Sequence, residues 1–127
     1  MNTHEHECRM DEVVRTVIGA AYAVSNSLGC GFLEKVYERA LTFELIRRGL
    51  RVQPQAPFRV FYLGQDVGVY EADLVVEDLV IVELKCVESF SNEHMAQCLN
   101  YLRASKLKLA LLINFQKAKV EWKRIIL

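Results

Sequence analysis

Two carboxylates and a lysine interrupt the most apolar stretch of this chain, and their types suit metal-assisted hydrolysis. Asp73 and the tripeptide Glu83-Leu84-Lys85 lie in a run that otherwise predicts buried strands. Burying a carboxylate and an ammonium is costly unless they pair with each other or bind a metal. Because side chains alternate along a strand, Glu83 and Lys85 share one face. Two acids and a lysine at one sheet end therefore predict a divalent-metal site with an activated water.

The hairpin between the two acidic strands must have a particular length to build this site. A two-residue turn at Glu77-Asp78 would pair Asp73 with Val82 and place its carboxylate on the wrong face of the sheet. We therefore predict an odd-length loop or a bulge that brings Asp73 opposite Glu83.

Length and composition fit one domain with a real core. The chain has 127 residues, of which 52% are hydrophobic. Sixteen basic and sixteen acidic residues cancel, so no overall cationic field attracts nucleic acid. Four cysteines without a Cys-x-x-Cys pair, and no secretory signal at the start, predict a reduced cytoplasmic protein. No apolar stretch reaches membrane-spanning length, so no membrane partner is expected.

Basic residues are concentrated near the C-terminal end of the sequence. Two interpretations stay open for them, a phosphate-facing patch and an ordinary solvated face. The candidate nucleic-acid-binding residues are Lys117, Lys119, Lys123 and Arg124. The apolar strand predicted at residues 120–127 is also a candidate interface for a homodimer.

Periodicity and turn residues predict two helices, three strands, a helix and two further strands. The predicted helices run from about Met10 to Leu28, from Phe32 to Arg48, and from Ser91 or Asn92 to Ala104. The predicted strands cover residues 58–62, 67–76, 79–86, 107–115 and 120–127. This order predicts an α/β fold in which helices flank a central mixed sheet. Residues 1–9 are predicted to be a flexible tail and residues 10–127 a single domain.

Five segments of the chain carry the motifs of one known family. They are Gly31-Phe32-Leu33-Glu34-Lys35-Val36-Tyr37, Val67-Gly68-Val69-Tyr70-Glu71-Ala72-Asp73-Leu74, Val82-Glu83-Leu84-Lys85, His94-Met95-Ala96-Gln97-Cys98-Leu99-Asn100-Tyr101-Leu102 and Leu111-Leu112-Ile113-Asn114-Phe115. The chain resembles the GxxExxY proteins, a compact branch of the PD-(D/E)XK nuclease superfamily, from about Val13 to Ile126. One departure is Ala72, which stands where the superfamily's name has proline. The resemblance implies a restriction-endonuclease-like core.

The resemblance also implies a role for each member of the site. Asp73, Glu83 and the backbone carbonyl of Leu84 would bind Mg²⁺ or Mn²⁺. Lys85 would orient the attacking water and stabilise charge on the phosphate. Glu34 would complete the metal site from its helix. The implied supporting residues are Gln97, Tyr101, Tyr37 and His94.

Each of these roles has a structural alternative. In the alternative interpretation, Glu83 and Lys85 form a salt bridge at the end of a strand. Glu34 is then an ordinary acid at the positive end of a helix dipole, and His94 is a helix-surface residue.

The implied function is hydrolysis of phosphodiester bonds in DNA or RNA, with no covalent intermediate. A non-catalytic nucleic-acid- or protein-binding module that keeps the pocket is the alternative, favoured by the neutral net charge and small size. The intact set of Asp73, Glu83 and Lys85 favours the nuclease. Because clustered acids repel each other, we expect a raised pKa for at least one of Asp73, Glu83 and Glu34.

Overall fold

The computed structural model describes residues 3–127 as a five-stranded mixed sheet with helices on both faces. The elements are α1 (Thr3–Leu28), α2 (Glu34–Arg47), β1 (Val52–Tyr62), β2 (Gln65–Val76), β3 (Val80–Lys85), α3 (Asn92–Ser105), β4 (Leu109–Asn114) and β5 (Glu121–Ile126). The strands lie side by side in chain order; β3 and β4 are parallel and the other neighbours are antiparallel. The predicted α/β fold, with a mixed sheet between helices, is confirmed.

The parallel pair β3 and β4 forms the centre of the sheet, as their apolar sequences predict. Every residue of β4 is buried, and β3 is buried up to Lys85. Parallel neighbours need a crossover connection, which α3 supplies. The carboxyl ends of both strands therefore meet at one edge of the sheet, where Lys85 lies beside Asn114.

The sheet separates two apolar clusters, one beneath each helical layer. Helices α1 and α2 cover one face, where Leu41 belongs to the same cluster as Leu84. Helix α3 covers the other face, where Leu102 clusters with Ile81. Because side chains alternate along β3, Glu83 points to the same face as Ile81, the face that α3 covers.

Helix α1 begins earlier than its sequence predicts. The expected start was near Met10, but residues 3–9 are helical rather than a flexible tail. No proline or glycine interrupts this segment, and Arg9 is held by a 2.5 Å ion pair with Glu77. Residues 1 and 2 of the predicted tail lie outside the described part of the chain. The division of the chain at residue 9 stays a prediction.

Strand β1 also begins earlier than expected, at Val52 rather than Phe58. The two prolines at positions 54 and 57 precede the predicted strand, yet both lie within β1 and pair with β2. A proline lacks the N–H that an inner strand needs for both neighbours, but an edge strand has only one neighbour. Since β1 is at the edge of the sheet, both prolines are tolerated.

All four cysteines are free, and Cys98 lies on the buried side of α3. Among residues 3–127, no helix is both long enough and apolar enough to cross a membrane.

The hairpin between β2 and β3 has the odd-length connection that the site requires. Leu74 pairs with Val82 and Val76 pairs with Val80, which leaves three residues in the turn. Continued by one step, this register places Asp73 opposite Glu83. The predicted register is therefore confirmed.

Two residues of this turn, Glu77 and Asp78, adopt left-handed backbone conformations with φ of 55° and 54°. The Glu77 carboxylate accepts hydrogen bonds from the Arg9 guanidinium at 2.5 Å and from the Arg51 backbone N–H at 2.6 Å. Left-handed backbone is unfavourable for residues other than glycine. The contacts of Glu77 thus hold the turn that sets the register.

Glycine substitutions at the two positions should have opposite effects on stability. Asp78→Gly should raise the free energy of unfolding by up to about 1 kcal/mol, because glycine relieves the left-handed strain. Glu77→Gly relieves similar strain but removes the bonds to Arg9 and Arg51, so it should lower this free energy by roughly 1–3 kcal/mol. Urea denaturation of the two variants measures both values. Equal effects would show that Glu77 does not anchor the turn.

Candidate functional site

Asp73 and Glu83 join β2 to β3 through two carboxylate–backbone hydrogen bonds. The Asp73 backbone N–H donates to Oε1 of Glu83 at 2.8 Å, and the Leu84 backbone N–H donates to Oδ2 of Asp73 at 2.8 Å. Regular pairing of the strands ends one step earlier, at Leu74 and Val82. The two carboxylates therefore replace ladder hydrogen bonds at the point where β2 and β3 separate.

A paired irregularity in β1 and β2 allows Asp73 to make this contact. Ala72 belongs to the α3-side cluster and Leu74 to the opposite one, although residues two apart in a regular strand share a face. Gln55 lies opposite Asp73, has a left-handed φ of 53°, and interrupts the regular pairing of β1 with β2. Strand irregularities of this kind redirect side chains, and here one lies next to the acidic pair.

Burial, together with repulsion from neighbouring acids, raises the pKa of both carboxyl groups. Glu83 is only 3% exposed; its burial first, and the nearby charge of Asp73 second, raise its pKa to about 8. Burial is also the main cause that raises the pKa of Asp73. The positive charge of Lys85 lowers both pKa values without cancelling these effects. The predicted raised pKa is confirmed, and at neutral pH the pair retains a proton.

A chain of hydrogen bonds connects Lys85 to α3 and to β2. The Lys85 ammonium donates to Oε1 of Gln97 at 3.4 Å, and Nε2 of Gln97 donates to the Tyr101 hydroxyl at 3.2 Å. The Tyr101 hydroxyl in turn donates to the backbone carbonyl of Glu71 at 3.1 Å. Burial, followed by the charge of Glu83, raises the pKa of Tyr101, which therefore stays a hydrogen-bond donor. Gln97 and Tyr101 thus point the same way, as their spacing predicts.

Helix α2 presents two acids near Asp73, and sequence reasoning identified only the more exposed one. Glu34 is exposed in the first turn, whereas Glu38 is 7% exposed one turn later. The charge of Glu38 raises the pKa of Asp73 more than that of Glu34 does. Lys35 donates to the Glu38 carboxylate at 3.2 Å, and Gln55 donates to it as well. The four-residue spacing from Glu34 was the available signal for Glu38.

Glu34 does not join the acidic pair in a compact ligand cluster. Within the described chain, no group of three or more His, Cys, Asp and Glu residues is placed to hold a metal ion. The carboxylates that are brought together at the sheet end are those of Asp73 and Glu83. The backbone N–H of Leu84 binds Asp73, so the Leu84 backbone lies next to this pair.

Two predicted supporting residues make contacts that shape the fold. Nδ1 of His94 accepts a hydrogen bond from the Ser91 backbone N–H at 3.1 Å. The backbone N–H of His94 donates to the Ser91 hydroxyl at 3.2 Å. This reciprocal pair caps the start of α3. The Tyr37 hydroxyl donates to the Gly29 carbonyl at 2.5 Å and accepts from the Phe32 N–H at 3.3 Å. Tyr37 therefore closes the loop between α1 and α2.

The four basic residues near the C-terminal end do not form one patch. Arg124 lies near Asp11 of α1, with an ion-pair distance of 3.7 Å, whereas its neighbour Lys123 points to the α3 face. Lys117 forms a 2.9 Å ion pair with an acid of β5. Lys119 is exposed in the loop after β4, at the sheet end that carries the acidic pair. Their role in binding nucleic acid stays a prediction.

Comparisons with known proteins give both family and fold. The family model described as the PD-(D/E)XK nuclease superfamily matches residues 11–125. The crystal structure of SSO0001 is similar with a TM-score of 0.56 at 17% identity, covering 96% of this chain and 61% of SSO0001. This chain therefore spans less than two thirds of SSO0001. An alkaline exonuclease, LHK-Exo from Laribacter hongkongensis, is similar with a TM-score of 0.50 at 12% identity, covering 91% of this chain and 81% of the exonuclease. No curated protein sequence matches the chain.

The raised pKa of Glu83 should make the stability of the fold depend on pH. The pKa is about 8 in the folded protein against an ordinary value of 4.5, so the folded state binds more protons between these values. Stability therefore falls as pH rises from about 5 to 8, on the order of 1–4 kcal/mol. In Glu83→Gln this loss of stability with rising pH should largely disappear, because the amide carries no charge. Urea denaturation at several pH values measures the free energy of unfolding of both proteins.

The matched control for this experiment is Glu88→Gln, an exposed position in the loop after β3. It removes one carboxylate away from the buried pair and should keep the pH profile of the wild type. A Glu83→Gln profile that also follows the wild type would contradict the assignment of the pH dependence to Glu83.

Proposed function

Since the chain belongs to the PD-(D/E)XK nuclease superfamily, we propose that it is a metal-dependent nuclease that hydrolyses phosphodiester bonds in DNA or RNA. The observation that carries the proposal is the acidic pair, half-buried Asp73 and buried Glu83, next to Lys85 at the end of β3. Nucleases of this superfamily generally use divalent metal ions. The alkaline exonuclease from Laribacter hongkongensis, which shares the fold, supports the same class of activity. We also propose that the chain belongs to the GxxExxY branch of this superfamily.

The chemistry of the acidic pair fits a hard divalent cation such as Mg²⁺ or Mn²⁺. Each carboxylate uses one oxygen to accept a backbone hydrogen bond, Oδ2 of Asp73 and Oε1 of Glu83, which leaves the second oxygen as a ligand. Mg²⁺ commonly takes one or two carboxylates and completes its shell with water and substrate phosphate. The Leu84 carbonyl is the proposed third protein ligand. Glu34 is proposed to act through a bound water, since it lies outside the compact pair.

Repulsion within the pair supports the same assignment. Two carboxylates that must share a proton at neutral pH are stabilised when a cation takes the proton's place. A bound cation would polarise the phosphate and lower the pKa of a coordinated water. Asp73 and Glu83 would hold it, and the backbone N–H groups that bind these two residues fix their orientation.

Lys85 supplies the positive charge that the developing phosphorane needs. Its ammonium is half-buried and positioned by Gln97, which Tyr101 in turn holds. In this place it orients the attacking water and stabilises charge on the phosphate oxygens. Gln97 and Tyr101 are positioning residues, because they act through Lys85.

Substitutions at the three central residues separate metal binding from catalysis. Lys85→Ala should keep or tighten Mg²⁺ binding, because it removes a competing positive charge, while it lowers the cleavage rate by about 10²–10⁴-fold. Asp73→Asn and Glu83→Gln should abolish both properties. Titration calorimetry measures the metal affinity, and labelled single-stranded and duplex DNA and RNA measure cleavage with Mg²⁺, with Mn²⁺ and with chelator.

Protons compete with the metal for the same carboxylates, so Mg²⁺ affinity should fall from pH 8 to pH 5. An affinity that stays constant over this range would exclude Asp73 and Glu83 as the ligands. Nucleic-acid binding without any metal-dependent cleavage would instead identify the chain as a binding module. In that case the basic residues near the C-terminal end of the sequence are the next to substitute, beginning with Lys119 and Lys123.

A further inference from the structure

A cleft of about 630 Å³ lies between the outer part of the β1–β2 hairpin and the C-terminal half of α3. The hairpin wall of the cleft belongs to the part of β1 and β2 that extends past the irregularity at Gln55 and Asp73. We call this part, residues 56–62 of β1 and 65–72 of β2, the ribbon. The side chains that matter in the cleft are Arg59, Phe61, Tyr70, Asn100, Arg103 and Lys106.

The cleft is cationic, although the protein as a whole has no net charge. Its lining within the described chain includes three basic side chains and no carboxylate. Arg59 is bonded to Asp66 of the ribbon at 2.5 Å. Among residues 3–127, the hydrogen-bond partner of the Arg103 side chain is the neutral amide of Asn100 at 3.1 Å, and no carboxylate there compensates its charge. The cleft therefore favours an anionic ligand.

Lys106 supplies the third charge from an unfavourable backbone conformation. It follows α3 in the left-handed region with φ of 67°, a position where glycine is the usual residue. Its side chain lines the cleft at the end of the helix. A lysine here contributes charge to the cleft at some expense in stability.

Two aromatic rings face the same space. Phe61 is 61% exposed and Tyr70 is 46% exposed, which is unusual for side chains of this size. Exposed rings beside basic groups suit unpaired bases, because every base presents a face for stacking while its phosphate meets the cations. A duplex, by contrast, keeps its bases stacked within the helix.

The cleft is linked to the acidic site by a contact between Tyr70 and Tyr101 of α3. The Tyr70 ring packs edge-on against Tyr101, with ring centres 5.8 Å apart, and Tyr101 belongs to the hydrogen-bond chain that ends at Lys85. Gln97 and Arg103 are six residues apart on α3, or about 9 Å along the helix axis. This is roughly three nucleotides at the 3.4 Å spacing of a stacked strand.

We propose that this cleft binds a single-stranded segment of nucleic acid next to the cleavage site, with bases stacked on Tyr70 and Phe61 and phosphates bound by Arg103 and Lys106. The inference rests on the proposed nuclease function and adds the substrate class to it. DNA and RNA share the required chemistry, so the test includes both.

Fluorescence anisotropy in chelator, which prevents metal-dependent cleavage, tests binding alone. The probes are a labelled 12-nucleotide DNA, the same sequence as RNA, and a blunt duplex. Arg103→Ala and Lys106→Gly should each weaken single-strand binding and reduce the slope of log affinity against log salt by about 0.7. Tyr70→Leu should weaken binding roughly 5- to 150-fold and leave the salt slope unchanged, because it removes stacking rather than charge.

Matched variants control for general effects of charge and stability. Arg15→Ala and Arg39→Ala remove exposed arginines of α1 and α2, on the opposite face of the sheet, and should bind like the wild type. Lys106→Gly should be at least as stable as the wild type in urea, since glycine suits the left-handed position, so weaker binding by this variant is not a folding defect.

Cleavage in Mg²⁺ is measured separately on wild type and variants. Arg103→Ala and Lys106→Gly should raise KM and leave kcat nearly unchanged, because the acidic site is intact. One outcome would overturn this inference and leave the nuclease proposal standing. In that outcome the wild type cleaves nucleic acid, but Arg103→Ala, Lys106→Gly and Tyr70→Leu all bind it as tightly as the control variants do. Absent cleavage together with cleft-dependent binding would refute the nuclease proposal alone.

Two further outcomes would also overturn the inference. One is equal affinity for the duplex and the single strand, since the cleft would then not select unpaired bases. The other is equally tight binding of polyglutamate with the same dependence on Arg103 and Lys106, which identifies an acidic-peptide site.

Discussion

Two hydrogen bonds between carboxylates and backbone hold β2 and β3 together where the sheet opens, and each of them requires one register. Asp73 accepts from Leu84 only if it lies opposite Glu83. That register needs a three-residue turn, and the turn is held by Glu77. Glu77 in turn binds Arg9 of α1 and Arg51 before β1, so the geometry of the site is linked to elements far from it.

The same bonds keep two like charges in a place where they destabilise the fold. The central strands β3 and β4, buried on both faces, supply the apolar packing that tolerates this cost. Lys85 offsets part of it, since its charge lowers both pKa values. A purely structural salt bridge would instead leave the carboxyl groups with lowered pKa values. The raised values are what distinguish this strand end from an ordinary ion pair.

Much of this arrangement was predictable from local sequence. The apolar runs of β3 and β4 predicted central strands, and the requirement that Asp73 reach the face of Glu83 predicted the turn length. The start of β1 was missed because prolines signal a strand break unless the strand is known to be at an edge. Glu38 was missed because its contact with Gln55 joins residues that are 17 positions apart in sequence. The basic cleft combines the ribbon with α3 and has no local signature.

The ribbon also affects how the molecule fluctuates. Its β2 half, residues 65–71, is exposed throughout, and its two strands are joined by the short turn at residues 63 and 64. Segments with few buried contacts open locally at low free energy, whereas strands buried on both faces open only with the whole domain. Backbone amides of the ribbon should accordingly exchange with solvent well before those of β3 and β4. One wall of the cleft can therefore adapt to a ligand, while Glu83 in the buried strand β3, and Asp73 through its hydrogen bonds to β3, keep their geometry.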